Sequence, residues 1–207
     1  MFDKFKDECG VFGIWGHPEA SNMTYLGLYA LQHRGQESAG IAASDGVRIR
    51  VSKAMGYVND AFDEDTLTKL SGTLAIGHVR YSTAGESKLE NAQPIVIDCM
   101  HGQLSLCHNG NLVNANEVRD ALVRQGAIFQ TSSDSEVVVH LYARSPKATV
   151  ESAIVEAISQ VRGAFSFVMM TKDRIFGVRD PHGFRPLAIG RLGDAWVLAS
   201  ETCAMDL

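Results

Sequence analysis

Apolar residues occur along the chain mostly in short runs of strand length, with glycine, proline, asparagine or aspartate between the runs. Such runs are typical of buried β-strands. The dipeptide Asp45-Gly46 stands between two of them and is typical of the tight turn of a β-hairpin. The predicted strands cover residues 11–15, 41–44, 47–51, 73–79, 94–99 and 104–108, and four more follow between residues 164 and 200.

Helical spacing of apolar residues is found in four other segments, three of which lie together in the second half of the chain. The predicted helices are one between Ser21, its expected N-cap, and Gly35, then residues 116–125, residues 134–143 with Ser133 as the cap, and residues 149–161. Because consecutive strands are joined as hairpins, the sheets are predicted to be antiparallel rather than built from βαβ units. We therefore predict an α+β fold in which helices cover two antiparallel sheets.

Composition and charge exclude several classes of protein. The 207 residues are 45% apolar and 21% charged, as in soluble domains with a sizeable core. Nineteen Lys and Arg against 24 Asp and Glu give a net charge of −5, which leaves no basic surface for nucleic acid. No apolar run approaches the roughly 20 residues that cross a bilayer, and the N-terminus lacks the apolar core of a secretory signal. We expect a cytoplasmic protein that binds neither nucleic acid nor membranes.

The four cysteines fit neither a zinc site nor a disulfide scaffold. Cys9, Cys99, Cys107 and Cys203 form no C-x-x-C pair, and none has a histidine at zinc-ligand spacing. Four cysteines in 207 residues are also too few for a fold that depends on disulfides. We predict reduced thiols and no metal in this domain.

Cys9 becomes a candidate nucleophile if residues 1–8 are removed. Its place before the first strand is otherwise that of a small buried apolar residue. After removal it would carry a thiol and a free α-amine, and an α-amine with a pKa near ~8 can act as a general base at neutral pH. A thiolate is a strong nucleophile for acyl carbons. One residue would then supply both groups that an acyl transfer requires.

Four further residues suit an amino-acid substrate or a developing charge. The Asn109 side-chain amide and the Gly110 N–H are a good pair of oxyanion donors, although Asn-Gly is also typical of a tight turn. Arg80, at the end of a strand, can bind a carboxylate through two hydrogen bonds or lie in solvent. Asp134 can receive an ammonium group or stabilise a helix N-terminus.

Arg34 and three histidines have simpler interpretations. Arg34 follows a predicted helix and precedes Gly35, a placement that suits a buried ion pair. His78, His101 and His108 are interpreted as structural histidines that hydrogen-bond within the fold.

Five motifs occur in one order along the chain, and their combination is specific. They are residues 9–13 (CGVFG), 31–37 (LQHRGQE), 77–83 (GHVRYST), 108–112 (HNGNL) and 133–136 (SDSE). The set resembles the glutaminase domain of class II glutamine amidotransferases, a family of N-terminal nucleophile hydrolases, over residues 9–207. Residues 180–187 (DPHGFRPL) and 200–204 (SETCA) resemble the branch in which a phosphoribosyltransferase domain follows.

This resemblance implies a four-layer αββα sandwich and a reaction at Cys9. Residues 1–8 would be a propeptide whose removal exposes the Cys9 amine. The Cys9 thiol would attack the side-chain amide carbon of L-glutamine, and Asn109 with the Gly110 N–H would hold the oxyanion. Ammonia would leave, and hydrolysis of the γ-glutamyl thioester would release glutamate.

The resemblance also implies how the substrate is held. Arg80 would bind the α-carboxylate of glutamine and Asp134 its α-ammonium group. The loop after Arg80 would close over the substrate, and Arg34 would be a supporting residue near the nucleophile.

Whole members of this branch use the ammonia in their second domain. There, with Mg²⁺ present, ammonia displaces pyrophosphate from phosphoribosyl pyrophosphate and gives 5-phosphoribosylamine, the first step of de novo purine synthesis. We expect this phosphoribosyltransferase domain to be absent from the chain, together with the Mg²⁺ and any 4Fe–4S cluster of the whole enzyme. No cofactor is expected in the glutaminase domain, and the whole protein is expected to be a homo-oligomer.

Three alternatives remain open. The chain could be the glutaminase half of a relative such as glucosamine-6-phosphate synthase or an asparagine synthetase, although those usually begin at Met-Cys and this chain has an eight-residue leader. It could be an unrelated amidase with an N-terminal cysteine, against which the pair Arg80 and Asp134 speaks. It could also be a regulatory domain that binds glutamine without turnover, because an amide-linked Cys9 has lost its base.

Overall fold

The computed structural model describes residues 9–81 and 87–206, whose strands form two sheets. The strands are β1 (Gly10–Trp15), β2 (Ser38–Ser44), β3 (Ile49–Met55), β4 (Leu74–Arg80), β5 (Ile95–Cys99), β6 (Gly102–Leu112), β7 (Gly163–Met170), β8 (Ile175–Arg179), β9 (Ala188–Leu192) and β10 (Ala195–Ala199). The large sheet has the order β3-β2-β4-β1-β10-β9, and the small sheet has the order β5-β6-β7-β8. Every pair of neighbouring strands is antiparallel, as predicted.

Six helices flank the sheets in the described parts of the chain. They are α1 (Ala20–Ala30), α2 (Val58–Ala61), α3 (Glu64–Lys69), α4 (Ala115–Arg124), α5 (Glu136–Arg144) and α6 (Val150–Ser159). Short 3-10 turns cover Gln32–Arg34, Leu89–Asn91 and Thr202–Met205.

Three apolar clusters show how these elements are layered. The two sheets pack face to face, with Val11 and Ile76 of the large sheet and Val168 of the small sheet in one buried cluster. Leu28 of α1 belongs to a second cluster on the outer face of the large sheet. The helices α4, α5 and α6 bury a third cluster against the outer face of the small sheet. The predicted four-layer αββα arrangement is therefore confirmed.

Local turn chemistry explains why two predicted elements form where they do. The Asp45 carboxylate accepts hydrogen bonds from the backbone N–H groups of Val47 and Arg48, both at 2.9 Å, and this turn joins β2 to β3. The Thr149 hydroxyl accepts from the Ser152 N–H at 3.2 Å and caps α6. The hairpin was predicted from Asp45-Gly46, and the helix from the spacing of its apolar residues, without Thr149 as its cap.

Two predicted helix caps are wrong, and two helices were not predicted. Ser21 lies inside α1, where its hydroxyl donates to the Leu70 carbonyl instead of capping the helix. The helix predicted after Ser133 begins two residues later than expected, with Ser135 as its N-cap. The Ser133 hydroxyl accepts from the Ser135 N–H in the turn before it. The helices α2 and α3, with four and six residues, are too short to show a helical period.

Candidate active site

Cys9 lies directly before β1 and beside the end of β4. Its thiol donates a hydrogen bond to the Tyr81 carbonyl oxygen at 3.4 Å. Its backbone N–H donates to the Arg34 carbonyl oxygen at 3.0 Å, and its own carbonyl oxygen accepts from Arg34 Nε at 2.7 Å. Cys9 has φ +64°, a left-handed conformation that is uncommon outside glycine. The backbone of the candidate nucleophile is thus held on both sides by one residue.

Arg34 is a buried member of an ion pair, as its place in the sequence predicted. Its side chain is 1% exposed and pairs with the Glu201 carboxylate, which follows β10. The His33 imidazole lies 3.1 Å from the same carboxylate. Burial raises the pKa of Glu201, but hydrogen bonds from Arg34 and His33 outweigh burial and lower the pKa overall. The ionised Glu201, which the sequence analysis missed, therefore holds Arg34 against Cys9.

Asn109 points into the space between the two sheets. Side chains alternate along a strand, and Cys107, two positions earlier on β6, packs between the sheets. The Asn109 side chain is 0% exposed, yet neither its oxygen nor its nitrogen has a hydrogen-bond partner among the described residues. A buried polar group without a partner costs about 1–3 kcal/mol, so native proteins keep such groups mainly where a ligand or water completes them.

Gly110 combines a backbone that favours glycine with an N–H at an unpaired edge. Its φ is +139°, and a Cβ there would lie 2.1 Å from the Ala164 carbonyl oxygen. Backbone N–H groups alternate between the two edges of a strand, and Asn109 lies opposite Ser166 of β7. The His108 N–H turns to the other edge, toward Gln93, so the Gly110 N–H faces that edge as well. β5 pairs with β6 only as far as Leu106 and does not reach it.

Arg80, the last residue of β4, is buried rather than solvated. It is 4% exposed and forms an ion pair with the Glu37 carboxylate, which the sequence analysis did not single out. Its side chain shares the inner face of the large sheet with Ile76 and His78. The interpretation of Arg80 as a solvated surface residue is therefore wrong.

Replacing Arg80 with lysine is expected to raise the KM for glutamine about tenfold while kcat changes little, because one ammonium cannot reproduce two parallel guanidinium hydrogen bonds. Steady-state kinetics of glutamine hydrolysis measure both constants. Arg50, which pairs with Asp45 on the far end of the large sheet, offers Arg50→Lys as a matched control. Unaltered kinetics in Arg80→Lys would remove Arg80 from the binding site.

Asp134 lies in the turn before α5, and its carboxylate contacts the end of β6. One carboxylate oxygen accepts from the Leu112 N–H at 2.8 Å, and the other lies 3.5 Å from His108 Nδ1. That second oxygen also accepts from the Ser135 hydroxyl at 3.3 Å. Burial raises the pKa of Asp134, but His108 and the two hydrogen-bond donors outweigh burial and lower it overall. Asp134 is therefore a carboxylate, the state that an ammonium group requires.

Loss of the Asp134 charge is expected to weaken glutamine binding by the same factor from about pH 5 to about pH 8, since a carboxyl group with a lowered pKa is ionised throughout that range. Its contribution is lost only as pH falls through this lowered pKa. The measurement is the ratio of KM in Asp134→Asn to KM in the unaltered protein across that range. A ratio that shrinks between neutral pH and pH 5 would show that Asp134 is protonated there.

The structure brings all six predicted site residues to one end of the sandwich, where β1 begins and β4 and β6 end. The contact between His78 Nε2 and the His108 carbonyl oxygen, at 2.9 Å, joins the ends of β4 and β6. Ser38 Oγ and His78 Nδ1, on the inner face at this end, are also buried without a partner in the described regions. Residues 1–8, the predicted propeptide, and residues 82–86 of the predicted closing loop lie outside the described residues.

The histidines interpreted as structural all contact backbone or buried side chains. Burial lowers the pKa of His78 to about 3. His101 Nε2 lies 2.9 Å from the Ser145 carbonyl oxygen, and His108 Nδ1 lies 2.8 Å from Ser135 Oγ.

Neither a metal site nor a membrane span is found in the parts of the chain that the structure describes. No three His, Cys, Asp or Glu side chains come together there as metal ligands, and the four cysteines are free. No described helix is both long and apolar enough to cross a bilayer. The absence of a cofactor from this domain and the cytoplasmic location stay predictions.

Comparison with known proteins identifies the family. Residues 78–206 match the family model of a glutamine amidotransferase domain, and the chain belongs to that family. Its relatives include the amidophosphoribosyltransferase of Bacillus subtilis (strain 168), 51% identical over 202 residues, which are 97% of this chain and 42% of that protein. The amidophosphoribosyltransferase of Staphylococcus aureus (strain Mu50) is 47% identical over 208 residues, again 42% of that protein.

A solved structure extends the similarity to the fold. The glutamine phosphoribosylpyrophosphate amidotransferase of B. subtilis, complexed with ADP and GMP, superposes with a TM-score of 0.91 at 50% identity. The match covers 96% of this chain and 43% of that one. The N-terminal nucleophile hydrolase fold implied by the motifs is thereby confirmed. The chain spans about 42% of the length of the curated relatives it matches.

Proposed function

We propose that this chain hydrolyses the side-chain amide of L-glutamine, with Cys9 as the nucleophile. The observation that carries the proposal is the Asn109 amide, which is fully buried, without a partner among residues 9–81 and 87–206, and at the end of the sandwich where Cys9 lies. A polar group kept in this way suits a charge that develops only during a reaction.

The reaction follows from the groups at this end of the sandwich. The Cys9 amine takes the thiol proton, and sulfur attacks the amide carbon to form a carbon–sulfur bond. Asn109 Nδ2 and the Gly110 N–H donate hydrogen bonds to the oxygen, which becomes negative. The amine then returns the proton to the departing nitrogen, ammonia leaves as the carbon–nitrogen bond breaks, and a γ-glutamyl thioester remains. Water hydrolyses the thioester to glutamate and restores the thiol.

Charge complementarity supports glutamine as the substrate. Arg80 places a buried guanidinium at the end of β4, and Asp134 places a carboxylate at the end of β6. The two charges suit the α-carboxylate and the α-ammonium of a free amino acid. An amidase for peptides or simple amides would have no use for this pair.

In a longer protein we propose that the ammonia serves the reaction named in the relatives, amidophosphoribosyl transfer. One relative of solved structure is described as the allosteric regulatory enzyme of purine biosynthesis. The partner would be a phosphoribosyltransferase domain that converts phosphoribosyl pyrophosphate to 5-phosphoribosylamine, and that part would bind Mg²⁺ and any 4Fe–4S cluster. A cytoplasmic homo-oligomer is proposed on the same basis. The relatives named amidophosphoribosyltransferase favour phosphoribosyl pyrophosphate as the acceptor of the ammonia over the acceptor of a glucosamine-6-phosphate synthase.

The proposal is tested by intact mass followed by an assay of hydrolysis. A mass that lacks residues 1–8 is expected, with equal amounts of glutamate and ammonia formed from L-glutamine. D-Glutamine is the matched control, because it carries the same groups in an arrangement that Arg80 and Asp134 cannot both meet. A protein that keeps residues 1–8 and binds L-glutamine without hydrolysing it would instead be a regulatory domain, because its Cys9 has no free amine. A protein that begins at Cys9 and does not hydrolyse L-glutamine would refute the proposal.

A further inference from the structure

The backbone of His108 is held by two side chains where a strand partner is missing. The register of β5 and β6 runs from Cys99 opposite Gly102 to Ile95 opposite Leu106. Continued by two residues, this register would place Gln93 opposite His108, beyond the end of β5. There the Gln93 side-chain oxygen accepts from the His108 N–H at 2.7 Å. The His108 carbonyl oxygen, which can only accept, receives a hydrogen bond from His78 Nε2 at 2.9 Å.

The large sheet supplies the second of these contacts and leaves room for the first. His78 of β4 is paired with Gly40 of β2. A Cβ at Gly40 would lie 2.0 Å from the Gln93 carbonyl oxygen, so the absence of a side chain at Gly40 is what lets the segment around Gln93 lie between the sheets. Gln93 is 5% exposed and His78 is 1% exposed. Burial keeps His78 neutral, with a pKa of about 3, so its donor does not change over the pH range of an assay.

We propose that Gln93 and His78 are positioning residues for the oxyanion site, acting through the His108 backbone on Asn109 and Gly110. The proposal rests on the proposed function, in which Asn109 and Gly110 stabilise the oxyanion. The His108 carbonyl and the Asn109 N–H belong to one peptide plane, so the hydrogen bond from His78 fixes the plane from which the Asn109 side chain departs. The bond from Gln93 fixes the preceding plane.

Loss of these contacts is expected to slow the reaction without weakening substrate binding. Displacements of about 1 Å in a catalytic group cost up to roughly 100-fold in rate, so Gln93→Met is expected to lower kcat about 10- to 100-fold. Arg80 and Asp134 contact neither the His108 N–H nor its carbonyl, so KM is expected to stay within about twofold. Gln93 Nε2 also donates to Ser135 Oγ at 3.1 Å, beside Asp134, and a role through that contact would raise KM instead.

The matched control is Gln103→Met, at the opposite end of β6. The Gln103 side-chain oxygen accepts from the Ile49 N–H at 2.9 Å, so it too is a glutamine side chain that holds a backbone N–H of a strand. Both variants and the unaltered protein are prepared with Cys9 as the N-terminus, as checked by mass. The measurements are kcat and KM for glutamine hydrolysis, the thermal midpoint of unfolding, and the rate at which iodoacetamide alkylates Cys9. Alkylation at sulfur forms no oxyanion.

The expected result is a fall in kcat for Gln93→Met alone, with alkylation within about twofold of the unaltered protein and similar losses of thermal stability in both variants. Equal kcat in the two variants, a rise in KM, or alkylation that falls in parallel with kcat would overturn the proposal. A second pair, His78→Gln and His78→Leu, decides the matter if Gln93→Met fails to fold. His78→Gln keeps a side-chain donor for the His108 carbonyl, so this variant should retain a higher kcat than His78→Leu. Equal kcat in these two variants would overturn the role of His78. An unaltered protein that does not hydrolyse glutamine would overturn the proposed function itself.

Discussion

Replacement of Cys9 with alanine is expected to abolish glutamine hydrolysis, with kcat lowered by a factor on the order of 10⁴ or more. Without the thiol no thioester can form, and the other three cysteines lie within the chain, where their nitrogens are in peptide bonds. The fold should survive, because the Cys9 side chain is only half-buried and its described hydrogen bond is a weak one from sulfur to the Tyr81 carbonyl. Ammonia release measures turnover, and calorimetry measures glutamine binding, which Arg80 and Asp134 should maintain.

The control for this experiment is Cys99→Ala, which removes a half-buried thiol at the turn between β5 and β6 and is expected to leave turnover unchanged. Both variants are prepared with residue 9 as the N-terminus, and mass confirms it. Turnover near that of the unaltered protein in Cys9→Ala would refute the proposed mechanism. Equal losses in the two variants would point to a general effect of removing a thiol.

Replacement of Asn109 with alanine is expected to lower kcat by about 10²- to 10³-fold and to change KM little, because the amide is needed where the oxyanion develops. Neither amide atom has a partner in the described structure, so the substitution breaks no hydrogen bond of the fold. The isosteric change Asn109→Leu should even raise the thermal midpoint, since it removes a buried unpaired group worth about 1–3 kcal/mol. Activity and stability are therefore expected to move in opposite directions.

Asn114→Ala is the matched control for Asn109. Asn114 is also buried, but its amide donates to the Gln160 carbonyl at 3.0 Å and accepts from the Arg162 N–H at 2.8 Å. This variant should lose stability and keep kcat. An unchanged kcat in Asn109→Ala, or a thermal midpoint that falls as far as in Asn114→Ala, would mean that Asn109 is structural.

Much of the fold could be predicted from the sequence because its signals are local. Asp45-Gly46 specifies its hairpin through contacts within four residues, and Thr149 caps α6 by accepting from an N–H three residues later. The cap at Ser133 was predicted wrongly because its hydroxyl serves the turn before the helix, and the cap at Ser21 because a serine hydroxyl can bond either to the backbone beside it or to a distant partner. Ser21 uses the Leu70 carbonyl, 49 residues away, and the sequence alone does not show that choice.

The candidate site shows the same division between local and distant contacts. The chemistry of Cys9 and Asn109 is visible in their motifs, whereas the residues that hold the site are distant in sequence. Glu37 pairs with Arg80 across 43 residues, and Glu201 pairs with Arg34 across 167. The sequence signal for both carboxylates is their place in family motifs, Glu37 in residues 31–37 and Glu201 in residues 200–204.

The conformation of Cys9 links the covalent state of the chain to its stability. The angle φ at Cys9, +64°, is defined by the carbonyl carbon of residue 8, and a non-glycine residue held there costs about 1–3 kcal/mol. Cleavage of that peptide bond removes the carbonyl carbon, so the folded state no longer carries this conformational free energy. The unfolded chain does not carry it before or after cleavage, because there the angle can relax. At this position the native fold accommodates the cut chain better than the continuous one. The free energy of folding and the free energy of the cleavage reaction therefore both depend on the φ angle of Cys9.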